Sequence, residues 1–344
     1  MNIVVLAGGL SPERDVSLVS GGLVAAALAR RGHKILLLDV YEGIDLEGRE
    51  VSELFTSTPD ANFGISEQVP DLEEVRRRNG GRVAKIGPGV LRACGAADVT
   101  FLALHGDMGE DGSLQATLDN YGIRYTGSGR VGSLLAMDKD ISKRMLRPAG
   151  VPTPDWIYFD AANESVDRIW REIGVPCVVK PTACGSSVGV SIVEDGDSLD
   201  AALTAAAEYE SRLIIEKKIT GREFSVGVLG DKVLPPIEII PKSGFYDYKN
   251  KYQSGMTEEI CPADLTAEQT AKVSRYARMA FDCLRLSGYA RADFIMDEAG
   301  EFWCLEVNNL PGMTPMSLLP REAAAAGIGY DELCETIVNM AVEQ

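Results

Sequence analysis

Residues 291–317 read RADFIMDEAGEFWCLEVNNLPGMTPMS, and their order leaves the chain little local choice. An apolar run at 294–296 is followed by Asp297, Glu298, Ala299 and Gly300, then by a second apolar run at 302–307. Two such runs around Gly-bearing turn residues predict a β-hairpin. The hairpin brings Asp293 near Glu306 and Asn308. Because Glu306 and Asn308 flank Val307, the two-residue period of a strand points both to one face. Three oxygen-bearing side chains with no His or Cys among them suit Mg²⁺, which is held by one or two carboxylates plus substrate phosphates. Carboxylates at hairpin ends also occur as solvated turn residues. Pro311 and Gly312 favour the metal–phosphate reading, since they force a turn that can aim a backbone N–H back at the same place.

Composition narrows the rest. With 344 residues, two or three domains are expected. A hydrophobic content of 45% with 25% charged residues is that of a globular chain. A net charge of −17 leaves no basic footprint for nucleic acid. No apolar run approaches a membrane span, and the N-terminal residues lack the charged start of a signal peptide. Seven cysteines without a C-x-x-C pair predict reduced thiols in a cytoplasmic protein. Only His33 and His105 are present, which argues against a His-ligated metal and leaves His105 as the one plausible imidazole base.

From the start, a strand at 3–7, Gly8-Gly9, a helix and a strand at 34–40 form a βαβ unit of a parallel, doubly wound sheet. Ser11 is the expected N-cap and Pro12 the first helical residue, with the helix running to Arg31. A full G-x-G-x-x-G is missing, so no dinucleotide site is expected. Glu13 stands where open α/β sheets bind ligands, although it could equally complement the helix dipole. A strand at 98–104 ends in His105-Gly106, and the Gly-rich 106–112 loop makes a second wall. Residues 126–129 read as a boundary.

Lys139 and Lys143 fall on a helical segment that stops before Pro148. A strand at 175–179 leads to Lys180 and the loop Gly185, Ser186, Ser187 and Gly189, which can fold over phosphates because glycine lets backbone N–H groups approach closely. It is not a P-loop. Glu216 and Lys217 end a strand from 213, and Glu223 precedes another at 224–229; an adenine edge and ribose hydroxyls would suit them. Residues 243–262 form a long polar-aromatic loop, the expected lid, with Lys251 and Tyr252 near its middle. A helix at 266–286 and another from about 320 complete the chain.

In order, the sequence carries GGLSPERDVSLVSG, ALHGDMGEDG, AMDKD, Lys180 with GSSVG, FYDYKNKY, and RADF with LEVNNLPGMTPMS. Together these motifs resemble the D-alanine–D-alanine ligase family of the ATP-grasp superfamily, over essentially the whole chain. The resemblance implies an α/β chain with three domains. These are an N-terminal substrate domain at 1–127, a central domain at 128–216 with the Gly/Ser phosphate loop, and a C-terminal domain at 217–344 with the lid and metal site. It implies ATP as a substrate, two D-alanine molecules, two Mg²⁺ (or Mn²⁺) ions and a homodimer.

By match to the family's motifs, Lys139, Lys180, Ser186, Ser187 and Lys251 approach the nucleotide phosphates, Glu216 and Lys217 the adenine, and Glu223 the ribose. Asp293, Glu306 and Asn308 are the implied metal ligands. Glu13 would bind the first D-alanine's ammonium group and be linked to Ser186 and Tyr252, with His105 in the same substrate site. Arg291 and the Gly312 N–H resemble the oxyanion site, and Lys251, Ser317 and Leu318 the second substrate's surroundings. Relatives that use D-lactate commonly carry Phe in place of Tyr252, so an amine acceptor is expected. Asn309, where many relatives have Thr, and Pro315-Met316 depart from the family pattern, the latter beside the acceptor pocket. D-alanine–D-serine and D-alanine–D-lactate ligation are the nearest alternatives, and a non-catalytic nucleotide-binding relative a more distant one.

Overall fold

The computed structural model describes residues 1–60, 63, 70–185, 188–242 and 257–343. Its elements run β1 (Asn2–Ala7), α1 (Arg14–Arg30), β2 (Lys34–Asp39), α2 (Leu72–Arg78), α3 (Val90–Gly95), β3 (Val99–Leu102), α4 (Ser113–Asn120), α5 (Arg130–Met137) and α6 (Lys139–Leu146). The middle of the chain carries β4 (Trp156–Asp160), α7 (Asp167–Glu172), β5 (Cys177–Pro181), β6 (Ser191–Val193), α8 (Leu199–Ala207) and β7 (Arg212–Lys217). Then follow β8 (Arg222–Leu229), β9 (Lys232–Val233), β10 (Ile237–Pro241), β11 (Thr257–Ile260), α9 (Ala267–Cys283), β12 (Tyr289–Met296), β13 (Phe302–Asn308), α10 (Leu318–Ala325) and α11 (Tyr330–Glu343).

Three sheets result among the described residues. The first is parallel in the order β2-β1-β3, with Ile3 opposite both Ile35 and Val99. Residues 3–7 are fully buried, as a central strand covered on both faces requires. Against it α1 packs closely: a Cβ on Gly21 would lie 2.6 Å from that of Ala7. The second sheet runs β4-β7-β5-β6 and the third β11-β10-β8-β12-β13, their pairs antiparallel.

Two packing choices cross the sequence order. Helix α11 joins the first core through Leu333, Ile337 and Val338, and Arg30 on α1 grips Asp331 with bonds of 2.8 and 2.6 Å. Ala136 on α5 and Leu146 on α6 belong to the third sheet's core. Lys139 and Lys143 thus ride on a helix docked to one sheet and reach towards another.

Helix α1 begins at Arg14, not Pro12, and Ser11 does not cap it. The Ser11 hydroxyl instead donates to the His105 carbonyl at 2.7 Å and accepts the Glu13 N–H at 3.2 Å. A tertiary partner thus outcompetes the local cap. The segment from 318 is two helices rather than one, interrupted at Gly327, whose φ of +82° suits a helix end. Helix α9 does carry its expected start: Thr266 and Gln269 form a reciprocal capping box. Residues 243–256 of the expected lid lie outside the described residues, and 257–260 form β11. Among the described residues no helix is long and apolar enough to cross a membrane.

Candidate active site

The hairpin is β12–β13. Asp293 lies opposite Glu306 and Arg291 opposite Asn308, with a bulge after Asp293. The two-residue strand period then puts all four side chains on one face. Arg291 holds Asp293 with two bonds, Nε to Oδ1 at 2.9 Å and Nη2 to Oδ2 at 2.8 Å. Asn308 Nδ2 donates to Asp293 Oδ2 at 3.0 Å, and Ser225 Oγ, from the neighbouring β8, to Oδ1 at 2.9 Å. Asp293 is therefore preset by four hydrogen bonds, and a cation approaching it would share it with Arg291.

Two cavities meet at Glu306. The smaller, about 160 Å³, lies between the second and third sheets. Its polar wall holds Lys139, Lys180, Glu216, Lys217, Glu223 and Asp293, and its apolar wall Val178, Ile192, Ile219, Ile295 and Leu305. A cavity with one apolar wall and lysines on the other suits an aromatic base attached to phosphates. Lys139 Nζ donates to the Cys184 carbonyl at 2.7 Å and lies 3.5 Å from Glu306 Oε2.

Glu216 forms an ion pair at each carboxylate oxygen. Oε1 is 2.6 Å from Lys180 Nζ and Oε2 is 2.8 Å from Lys143 Nζ. Burial by itself would raise the Glu216 pKa, but Lys143 and Lys180 more than reverse this and hold it below the ordinary value. Of the two lysines that share this carboxylate, Lys180 lines the cavity and Lys143 is buried behind it. Both carboxylate oxygens are thus paired with lysines, which leaves the backbone beside Glu216 as the expected contact for an adenine edge. Lys217, beside it, pairs at 3.5 Å with Asp155.

The larger cavity, about 430 Å³, is lined by Glu13, His105, Glu110, Arg291, Gly312, Ser317 and Leu318 among others. Glu13 comes from the start of α1. A Cβ on Gly185, the first glycine of the Gly/Ser loop, would lie 3.6 Å from Glu13 Oε2, so the residue that opens that loop reaches the start of α1 here. His105 Nε2 is 3.4 Å from Ser20 Oγ, and burial lowers its pKa, with Glu13 opposing. His105 is thus a neutral hydrogen-bonding group at neutral pH. Ser317 Oγ is 2.9 Å from Thr314 Oγ1, and a Cβ on Gly312 would lie 2.8 Å from that Oγ, so glycine is needed for the turn to close.

Ser186, Ser187, Lys251 and Tyr252 lie outside the described residues. The other expected site residues are brought to one or both cavities: Glu13, His105, Gly312, Ser317, Leu318, Arg291 and Asn308 to the larger, Glu306 to both, the rest to the smaller. Sequence reasoning assigned no role to Lys143, Glu110 or Ser225. Lys143 was within reach, since a helix places i and i+4 on one face and Lys139 was already chosen. Ser225 needed the β8–β12 register.

Known proteins resemble the chain over its whole length. The family described as D-ala D-ala ligase N-terminus matches residues 2–128, and D-ala D-ala ligase C-terminus matches 145–339. A D-alanine–D-alanine ligase of Pediococcus pentosaceus is 41% identical over 344 residues, covering 98% of this chain and 97% of the relative. The D-alanine–D-alanine ligase of Bacillus anthracis superposes with a TM-score of 0.78 at 35% identity, over 100% of this chain and 98% of that one. Its complex with ATP gives 0.76 at 32%, with the same coverage. The VanG D-Ala:D-Ser ligase of Enterococcus faecalis gives 0.77 at 27%, covering 99% of each chain. The chain belongs to the D-alanine–D-alanine ligase family, ADP-forming ligases of the ATP-grasp fold.

Proposed function

We propose that this chain joins two D-alanine molecules into D-alanyl-D-alanine for the cell wall, using ATP, in the cytoplasm and as a homodimer. One observation carries the reading: the Asp293/Glu306/Asn308 face stands where a lysine-lined slot meets a cavity holding Glu13, Arg291 and Gly312. A carboxylate is a poor acyl donor. Transfer of the γ-phosphoryl group to the first D-alanine makes an acyl phosphate, and the second D-alanine's amine then attacks it and expels phosphate.

Phosphoryl transfer needs positioning and neutralised charge rather than a protein nucleophile. Lys139 and Lys180, the latter held by Glu216, supply positive charge at the slot. With Glu216's carboxylate committed to lysines, the adenine edge falls to the backbone of 216–219. Glu223 would take the ribose hydroxyls. Asp293, Glu306 and Asn308 would hold two Mg²⁺ or Mn²⁺ ions, and their oxygen-only character fits such hard cations. When bound, the ions supply neutralising charge for the phosphates. Glu13 orients the first D-alanine, with Ser186 and Tyr252 expected to support it. Arg291 and the Gly312 N–H would stabilise the tetrahedral oxyanion, and Lys251, Ser317 and Leu318 would receive the second substrate.

The likeness to the E. faecalis D-Ala:D-Ser ligase favours D-serine as the rival acceptor. The deciding experiment is product mass after incubation with ATP, Mg²⁺ and equimolar D-alanine, D-serine and D-lactate. A dominant D-alanyl-D-alanine peak with matching phosphate release is the expected result. A dominant D-alanyl-D-serine or D-alanyl-D-lactate product overturns the acceptor, and ATP binding without product overturns the reaction.

A further inference from the structure

The larger cavity holds more acid than the roles above use. Glu13, Glu110, Glu259 and Glu306 all line it. Glu259 is ion-paired with Arg321, and Glu306 lies 3.5 Å from Lys139 Nζ. Within ion-pair distance and among the described residues, Glu110 meets only His105 Nδ1, at 4.0 Å, an imidazole that burial disposes to be neutral.

Glu110 is held in place at both ends. Its Oε1 accepts the Gly106 N–H at 2.9 Å, and its backbone carbonyl accepts Asn309 Nδ2 at 3.3 Å, beside the end of β13. Two glycines separate it from Glu13. A Cβ on Gly185 would lie 3.6 Å from Glu13 Oε2 and 3.9 Å from Glu110 Oε2, and a Cβ on Gly106 3.2 Å from Glu13 Oε2. Both carboxylates therefore come within reach of one point, at Gly185, and both line the larger cavity. Burial, and next the nearby Glu13, push the Glu110 carboxyl up to about 8. An arriving cation stabilises the ionised carboxylate and so offsets both causes.

The reaction brings two ammonium groups into this cavity, and Glu13 serves one. Resting on the ligase reading, we propose that Glu110 binds the amino group of the second D-alanine and so holds the attacking nitrogen beside the donor site. This divides the two carboxylates between the two substrates.

The test separates the donor from the acceptor step. Hydroxylamine, an uncharged nucleophile at neutral pH, traps the acyl phosphate as D-alanyl hydroxamate and releases phosphate without needing an ammonium site. Glu110→Gln keeps an oxygen for the Gly106 N–H but loses the charge. It should form hydroxamate within about twofold of wild type while the acceptor KM for dipeptide formation rises about ten- to a hundred-fold, the worth of a charged hydrogen bond. Glu110→Asp should recover part of that loss. Should Glu110→Gln fail to fold, Glu110→Asp decides alone: a raised acceptor KM with hydroxamate unchanged supports the assignment. Hydroxamate and dipeptide falling together, or an unchanged acceptor KM, overturns it. Wild-type protein that forms neither product refutes the ligase reading itself.

Discussion

Replacing Glu216 by Gln removes the one carboxylate that two lysines share, and the structure sets the size of the effect. Lys180, with 8% of its side chain exposed, lines the smaller cavity and can turn towards solvent there. Lys143 cannot: its side chain is 0% exposed, and its other polar partner is the Thr153 hydroxyl at 2.6 Å. The substitution therefore strands one buried ammonium. Breaking a buried ion pair by removing one partner costs about 3–5 kcal/mol. Burial already lowers the Lys143 pKa, with Glu216 opposing, so losing Glu216 lowers it further. The sign follows from proton counting: the unfolded lysine binds its proton up to the ordinary value near 10.5, whereas the folded variant loses it sooner. The penalty is thus full below the folded variant's lowered value and fades as pH rises from there towards 10.5.

Urea unfolding of wild type and variant at pH 7 and pH 10 measures this. Trp156 fluorescence is a local reporter, since Lys143 Nζ lies 5.4 Å from its ring centroid. Adding Lys143→Met should recover most of the loss, because removing both partners of a buried pair is often nearly neutral. A loss below about 1 kcal/mol at pH 7, too small for a stranded buried charge, would refute the reasoning. So would a loss that persists undiminished at pH 10.

Two further outcomes are expected. In Gly227→Ala the new Cβ would meet Glu322 Oε2 at 2.4 Å and Leu319 Cδ1 at 2.6 Å. That overpacking should cost about 1–3 kcal/mol in thermal unfolding, and a second change, Glu322→Ala, should return part of it; no return would mean Leu319 sets the limit. Arg291→Lys forfeits the two-pronged grip on Asp293, which a point-charge ammonium cannot reproduce. Its kcat should fall about a hundred- to a thousand-fold with the D-alanine KM nearly unchanged, and the reverse pattern would argue against an oxyanion role.

The site's chemistry was legible where it depends on local pattern. Glu306-Val-Asn308 had to present two oxygens on one strand face, and the turn at 297–300 had to return the chain to Asp293. Ser11 shows where local rules stop. Its sequence context is that of a helix cap, yet the His105 carbonyl, 94 residues away, claims its hydroxyl. Glu110 and Lys143 were both in view and drew no assignment, because their meaning lies in partners contributed by other sheets.

The sequence by itself determined the β12–β13 hairpin, the oxygen donors Asp293, Glu306 and Asn308 on one of its faces, and the family, since these follow from periodicity, turn residues and ordered motifs within short windows. Only the tertiary structure decided that α11 covers the first sheet, that α6 docks on the third sheet while its lysines serve the second, and that Glu13 and Glu110 share one cavity. Those depend on apolar faces finding each other across hundreds of residues. Hydrophobic burial has no direction of its own, so which face meets which is settled by the whole fold.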